Sequence, residues 1–368
     1  MLSGKGRYLF LGMKGCSGNL APEPEMKKIP TQISADVQEY LNSYVNLTAE
    51  KTLLVEASDE YAISECTGEV NAIVNLEKVN NIRFINKFFE SVNSKLKNED
   101  FFICRFETIG ARRERHRYLG IPVVRSIFFG FEFIFLRVFP KIWGFKKIYF
   151  LISKGRNRLL SKAEVLGRLV SCGFEIVSFE SFDGLMYVIS KKIKAPEFNM
   201  NVSYGPIFKM QRLGKDRKLI GVYKFRTMHP YAEYLQRYVL GLSGYSESGK
   251  PANDFRLTPW GAFLRKYWLD ELPQIINILK GEMKLVGVRP VSESYLPDIP
   301  KELQDLRFKQ KPGCIPPYVA LGRKSSVESV LQAEQDYLVE KARNPYFTDT
   351  RYFFKALFNI IFRRRRSA

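Results

Sequence analysis

The chain has few of the residues that bind soft metals or form disulfides. Among 368 residues there are 2 histidines and 5 cysteines. The cysteines, Cys16, Cys66, Cys104, Cys172 and Cys314, are scattered and odd in number. No CxxC pair exists, which argues against a zinc site or a disulfide framework and suits a reducing cytosol. Long apolar runs are also missing. No stretch of about 18 uncharged apolar residues occurs, so no conventional membrane-spanning helix is expected. The N-terminal MLSGKGRYLFLGMKG has an apolar patch of about four residues, short of the roughly 7–15 of a signal-peptide core. A GxGxG turn after a strand is lacking too. GKGRYLFLG near the N-terminus has no strand before it and does not qualify as a nucleotide-type cofactor loop.

Positive charge is what the chain does have. It carries 58 Lys+Arg against 38 Asp+Glu, a net charge of +20, with 45% hydrophobic and 14% aromatic residues. That apolar content is enough for packed cores and excludes wholesale disorder. The charge is uneven: residues 1–100 sum to −3, 101–200 to +10 and 201–368 to +13. The last two-thirds therefore call for an anionic partner, whether nucleic acid, anionic lipid or a phosphorylated substrate. No base-reading motif accompanies the charge, so nucleic acid is set aside.

Residues 17–35 read as loop. TLLVEAS (52–58) reads as a strand, and the apolar spacing of Leu76, Val79, Ile82, Ile85, Phe88, Phe89, Val92 and Leu96 predicts a helix over 75–97. FFICRFET (101–108) reads as a strand. SKAEVLGRLVSCGFEIVSFE (161–180) reads as a helix, a stop at Gly173 and a strand, and MYVISKK (186–192) as a further strand. Strands alternating with helices predict an α/β, partly doubly wound layer over residues 1–195. In layout this resembles the second half of a class I methyltransferase-like, Rossmann-type domain. Without its glycine turn, the resemblance implies a degenerate support rather than a cofactor site. Residues 121–150, IPVVRSIFFGFEFIFLRVFPKIWGFKKIYF, are the most apolar segment, interrupted by Arg125, Glu132 and Arg137. Two readings stand open: an element lying in a membrane surface with basic flanks, or a buried helix covering the sheet. RYFFKALFNIIFRRRRSA (351–368) puts Phe354, Leu357, Phe358 and Ile361 at helical spacing before four arginines. It reads as a membrane-surface helix, with a core helix as the alternative.

From residue 204 the sequence becomes specific. YGPIFKMQRLGKDRKLIGVYKFRTM (204–228) precedes NDFRLTPWGAFLRKYWLDELPQIINILKGEMKLVGVRP (253–290) and KPGCIPPYVALGR (311–323). Asp270 and Glu271 are adjacent carboxylates at the start of an expected helix, LDELPQIINILKG, with Pro273 in its first turn. Neighbouring helical side chains diverge by about 100°, so one carboxylate can face a phosphorus atom while the other turns to a metal. One or two carboxylates plus substrate phosphates is the ligation Mg²⁺ prefers. Out of context, the pair would serve equally well to complement a helix dipole. Lys224 and Arg226 are two apart and share one face of an expected strand. Arg265, Arg289 and Arg323 complete the basic set. Arginine clamps phosphate oxygens through its planar fork, and lysine acts as a point charge. Gln211, Arg212, Gly214, Pro290, Gly205, Pro206 and Gly287 read as structural or turn-shaping. Gly281 reads as a helix stop and Gly313 as a loop hinge.

The ordered elements GP…QR.G, YKFRTM, R.T..G..LRK..LDELPQ..N.LKG.M.LVG.RP and KPG resemble the bacterial sugar transferase family, the monotopic phosphoglycosyl transferases. The resemblance spans about residues 203–325. It implies a Mg²⁺-dependent reaction in two steps. Asp270 stands at the nucleophile's position, where a UDP-sugar leaves its phosphosugar and releases UMP. Glu271 stands at the position that supports Mg²⁺. Undecaprenyl phosphate then takes the sugar phosphate, starting an exopolysaccharide, capsule or O-antigen unit. It further implies an α+β catalytic domain over 196–368 with amphipathic membrane-associating helices, placed on the cytoplasmic face of a bacterial inner membrane. It says nothing of oligomeric state. The chain departs from the family in three places. SFDGLMYVISKKIKAPEFNMNVSYGP lacks the re-entrant apolar helix that usually precedes GP. Two prolines follow KPGCI. GVRP replaces GPRP but keeps Arg289. The alternative reading is an inactive member acting as a membrane-bound assembly subunit.

Overall fold

A computed structural model describes residues 33–65, 68–117, 120–141, 144–197, 205–243, 254–324 and 326–363. The N-terminal patch, most of the expected loop 17–35, Cys16, Cys66, Trp143 and Arg364 to Arg366 lie outside the described residues. The chain divides into two compact units. The first is Met1–Val202 with Pro230–Arg237, and the second is Ser203–His229 with Tyr238–Ala368. Among the described residues no helix is long and apolar enough to cross a membrane.

The first unit is built on a five-stranded sheet of order β1-β2-β3-β5-β4. β1 (Thr52–Val55), β2 (Ala72–Lys78) and β3 (Phe101–Phe106) run parallel. Parallel neighbours need a crossover, and the helix Ile85–Lys95 supplies it between β2 and β3. β4 (Phe174–Phe182) and β5 (Leu185–Lys192) form a hairpin, with β5 antiparallel to β3. Its two-residue turn, Asp183–Gly184, has φ of 50° and 76°, the backbone that a tight hairpin demands and Asp-Gly favours. Side chains cover the sheet on both faces. Val74, Leu76, Ile103 and Ile189 meet Val37 and Leu41 of the helix Ala35–Asn42. On the other face Phe102 packs against Phe89 (5.7 Å) and Phe174 (5.5 Å).

Double coverage explains one correction. The expected helix over 75–97 begins only at Ile85, because Ala72–Lys78 is β2. Leu76, Val79 and Ile82 are three apart and mimic a helical period. A strand buried on both faces has no alternation to betray it. Asn75 is its one buried polar residue, and its amide bonds the backbone of Ala57 through both N–H (3.0 Å) and C=O (3.1 Å). The helix Lys162–Ser171 starts where expected, with the Ser161 hydroxyl accepting from the Glu164 N–H (3.2 Å). Glu164 is buried between Arg137 and Arg168. Arg168 also stacks on Tyr231 (4.4 Å), whose hydroxyl accepts from Asn86 (2.7 Å).

The Phe-rich stretch is not a buried cover. No residue of the helix Pro122–Phe133 is buried. It continues into a π turn, Ile134–Val138, and a second helix, Phe145–Ser153.

In the second unit β6 (Ile207–Leu213) and β7 (Leu219–Phe225) form an antiparallel hairpin. β8 (Lys284–Val286) and β9 (Gly313–Ile315) form a short parallel pair. Helices Lys301–Phe308, Val327–Arg343 and Thr348–Ile361 pack with them around Val286, Val288, Leu303, Phe308, Tyr337 and Tyr352. Gly313, expected as a hinge, is instead a strand residue. A Cβ there would lie 2.1 Å from the Gly287 nitrogen, so the VG of VGVRP and the G of KPG are two backbones in contact. The C-terminal helix Thr348–Ile361 carries its bulk outward. Thr348, Tyr352, Ala356 and Asn359 are buried, while Phe354, Phe358 and Ile361 are exposed. Asn359 ties its end to the carbonyls of Val319 (3.1 Å) and Ala320 (2.8 Å).

Gly313→Ala is expected to destabilise the chain by roughly 1–3 kcal/mol through overpacking, seen as a lower midpoint in urea. Gly130→Ala, with nothing within 4 Å of the added carbon, should leave that midpoint unchanged or slightly raised.

Candidate active site

The Asp270–Glu271 pair does not open an α-helix. Leu269–Gln274 is a 3₁₀ turn, and α-helix runs only over Ile275–Leu279. An α-helix begun at Leu269 would need an N–H from Pro273, which has none. The turn follows Trp268 in the left-handed region (φ 59°, ψ 23°). At three residues per turn, adjacent side chains separate by about 120°, and the two carboxylates part company. Glu271 is buried and Asp270 is half-buried.

Glu271 gathers the site. Its Oε1 accepts from Lys224 Nζ (2.8 Å) and from Arg289 Nη2, and its Oε2 from Gln274 Nε2 (3.1 Å). Burial alone would raise its pKa, but Arg289 and Lys224 together outweigh burial and hold it below the ordinary value. Lys224 is also shifted down, first by burial and then by Arg289, against the pull of Glu271. One carboxylate shared by two cations neutralises neither. Arg212 adds to the excess: burial and the charge of Arg289 lower its pKa as well. The hairpin register explains the convergence. Phe208 faces Lys224 and Arg212 faces Ile220, so the period of two puts Arg212 and Lys224 on one face and Gln211 on the other.

Asp270 is left unengaged. Among the described residues its carboxylate has no hydrogen bond or ion pair, yet its charge is felt by Arg265 and Lys224. Arg265 closes the helix Pro259–Lys266 and donates to Thr227 Oγ1 (3.0 Å). Burial lowers its pKa, and Asp270 and Asp254 work against that. The R.T..G motif is the seat for this arginine. Arg256 is buried in a two-bond fork on Asp254 (2.8 and 2.7 Å). The Thr258 hydroxyl caps the helix at the Gly261 N–H (2.9 Å) and donates to the Thr227 carbonyl (2.9 Å). A Cβ on Gly261 would sit 2.0 Å from that carbonyl oxygen.

The remaining expected residues fall in different places. Arg226 follows β7, donates to the Gly205 carbonyl (3.1 Å) and lies over the Phe208 ring (5.3 Å). Arg323 pairs with Asp336 of the helix Val327–Arg343 (2.6 Å). Gly214 ends β6 and its N–H bonds the Lys218 carbonyl (2.8 Å). Pro290 is half-buried between Arg289 and Val291, whose carbonyl accepts from the Leu213 N–H (2.8 Å). Gly281 stops the α-helix with φ 70°.

Three supporting residues escaped the sequence reading. Asn277, fully buried, donates to the Gly221 carbonyl (2.8 Å) and accepts from the Tyr223 N–H (3.0 Å). It offers β7 what a neighbouring strand would. A lone amide amid IINILKG was its signal. Arg307 is buried against Glu334 and donates to the Arg289 carbonyl (2.6 Å), and burial pushes its pKa down to about 10. Nothing local in the sequence marks that pairing. Cys314 stands close enough to Glu271 to feel its charge; burial first, and Glu271 next, push the thiol up to about 12. Around the turn the surface is apolar: Trp260, Phe263, Tyr267, Leu272, Ile275 and Leu279 are exposed.

Comparison with known proteins finds relatives for the second half of the chain. The model of the family described as bacterial sugar transferase matches residues 185–363. The chain is 40% identical over 119 residues to an undecaprenyl-phosphate galactose phosphotransferase of Salmonella typhimurium, covering 30% of this chain and 24% of that protein. It is 37% identical over 132 residues to a UDP-glucose:undecaprenyl-phosphate glucose-1-phosphate transferase of Klebsiella pneumoniae, covering 35% and 25%. It is 36% identical over 126 residues to an uncharacterized sugar transferase of Bacillus subtilis, covering 34% and 52%. The chain thus spans about a quarter of the length of the first two relatives. Family model and relatives agree: residues 185–363 match the bacterial sugar transferase family.

Proposed function

We propose that this chain moves a sugar 1-phosphate from a UDP-sugar to undecaprenyl phosphate through a covalent intermediate on Asp270, as the first step of a surface polysaccharide unit. One observation carries the reading. Asp270 has no hydrogen bond or ion pair among the described residues, while its neighbour Glu271 holds Lys224 and Arg289 beside it. A carboxylate oxygen of Asp270 attacks the phosphorus bonded to the sugar. A P–O bond forms, the bond to the bridging oxygen breaks, and that oxygen leaves on UMP. An oxygen of the lipid phosphate then attacks the same phosphorus and displaces Asp270. Lys224, Arg265 and Arg289 face polyanions in both steps and neutralise the oxygens that gain charge.

Asp270 and Glu271 are the residues that would hold Mg²⁺. Two carboxylates leave most of the coordination to substrate phosphates and water, which suits this ion. When bound, it would neutralise phosphate oxygens. Glu271 would exchange one of its cations for it. The exposed apolar residues flanking the turn support a lipid substrate reached from a membrane surface, and so does the outward face of Thr348–Ile361. We read the first unit as a methyltransferase-like support; its layout of parallel strands followed by a hairpin favours that.

Incubation with a panel of UDP-sugars, undecaprenyl phosphate and Mg²⁺ should release UMP, and mass spectrometry should find the phosphosugar on Asp270. Asp270→Asn should lose both UMP release and glycolipid while keeping its melting temperature; near-normal turnover would remove Asp270 from the role. Glu271 has a lowered carboxyl. The stability it contributes is complete above its ordinary value of 4.5 and is lost as the pH falls through the lower folded value. Glu271→Gln should therefore cost roughly 3 kcal/mol at pH 7, because two cations lose their buried partner. That gap should close progressively below pH 4.5. Urea titrations at pH 7 and well below pH 4.5 would show it, and an equal gap at both would refute the coupling.

A further inference from the structure

We propose that residues 121–141 and 144–153 of the first unit form a face that lies in the plane of an anionic lipid surface. This segment is outside the family match, and the inference stands whether or not the transferase reading does. Its helices present Ile121 (65% exposed), Val123 (66%), Ile127 (55%), Phe131 (71%), Leu151 (81%) and Ile152 (64%) to the outside. Soluble surfaces rarely expose so many large apolar side chains along one stretch of chain.

The charges within the segment sharpen this. Glu132 turns inward to Arg112 (2.7 Å), and Arg137 turns inward to Glu164 and the Leu159 carbonyl (2.6 Å). The outward face keeps the apolar groups and loses Glu132 and Arg137, leaving Arg125 half-exposed and Lys147 exposed as its cations. Glu132 is also the only acidic residue between positions 116 and 163. Arg117, Lys147, Lys154 and Arg156 are exposed in that interval. An apolar stripe with basic flanks and no free acid fits an anionic leaflet, where each cation adds roughly 1 kcal/mol. A second copy of the chain would bring the same cations against each other. Among the described residues no helix is long and apolar enough to cross a membrane, and the inward pairing of Glu132 and Arg137 with an outward apolar face fits a segment lying in the interface.

The test is flotation of the full-length protein with vesicles of phosphatidylethanolamine and phosphatidylglycerol, beside pure phosphatidylcholine. Phe131→Glu with Leu151→Glu should bind the anionic vesicles about a hundredfold less tightly, each lost apolar contact being worth roughly tenfold. Phe354→Glu with Phe358→Glu, in the second unit, reports the other apolar face separately. A photoreactive benzoylphenylalanine in place of Phe131 should then crosslink to lipid. Wild-type flotation of the first variant, or crosslinks to a second protein chain in place of lipid, would overturn the proposal.

Discussion

A single buried carboxylate organises the candidate site of the second unit. Glu271 holds Lys224 and Arg289 on the same oxygen, and everything nearby serves to keep it there. Gln274 occupies its other oxygen. Asn277 fastens the short helix beneath it to β7, the strand that carries Lys224. Arg307, neutralised by Glu334, grips the backbone of Arg289. The contact of Gly287 with Gly313 fixes the approach of that loop. The arrangement is electrostatically overfull on the positive side. That is an unfavourable state for a protein alone and a receptive one for a diphosphate.

The candidate site was legible in the sequence as a set of motifs that occur in order. Asp270, Glu271, Lys224, Arg265 and Arg289 are all in motifs, and the structure brings them to one place. What could not be read was how they are held. Proline at position 273 suggested a helix start, whereas it enforces a 3₁₀ turn that separates the carboxylates. Arg307 reaches Arg289 across 18 residues, a distance that no local pattern encodes. Gly313 looked like a hinge because a glycine beside proline usually is one; its reason is a contact with another backbone. In the first unit β3, β4 and β5 were readable from their apolar runs and turns. β2 was not, because burial on both faces hides the alternation that marks a strand.

The apolar surfaces follow one physical rule in each unit. The C-terminal helix buries Tyr352, Ala356 and Asn359, packs Phe353 and Ile360 on the core, and shows Phe354, Phe358 and Ile361 on a second apolar face. The segment 121–141 turns Glu132 and Arg137 inward and shows apolar side chains outside. Both carry more apolar surface outward than a water-soluble helix usually does.

Tyr231 shows how the chain order constrains its own assembly. It belongs to the first unit, where Arg168 stacks on its ring and Asn86 donates to its hydroxyl. Yet β6 and β7 lie between it and the rest of that unit in sequence. During synthesis the ribosome must therefore deliver the whole β6–β7 hairpin before the first unit can close over Arg168. A chain ending at Val202 would leave that guanidinium and the Asn86 amide without the ring and hydroxyl they meet here. The two units are thus separate in packing but interleaved in time.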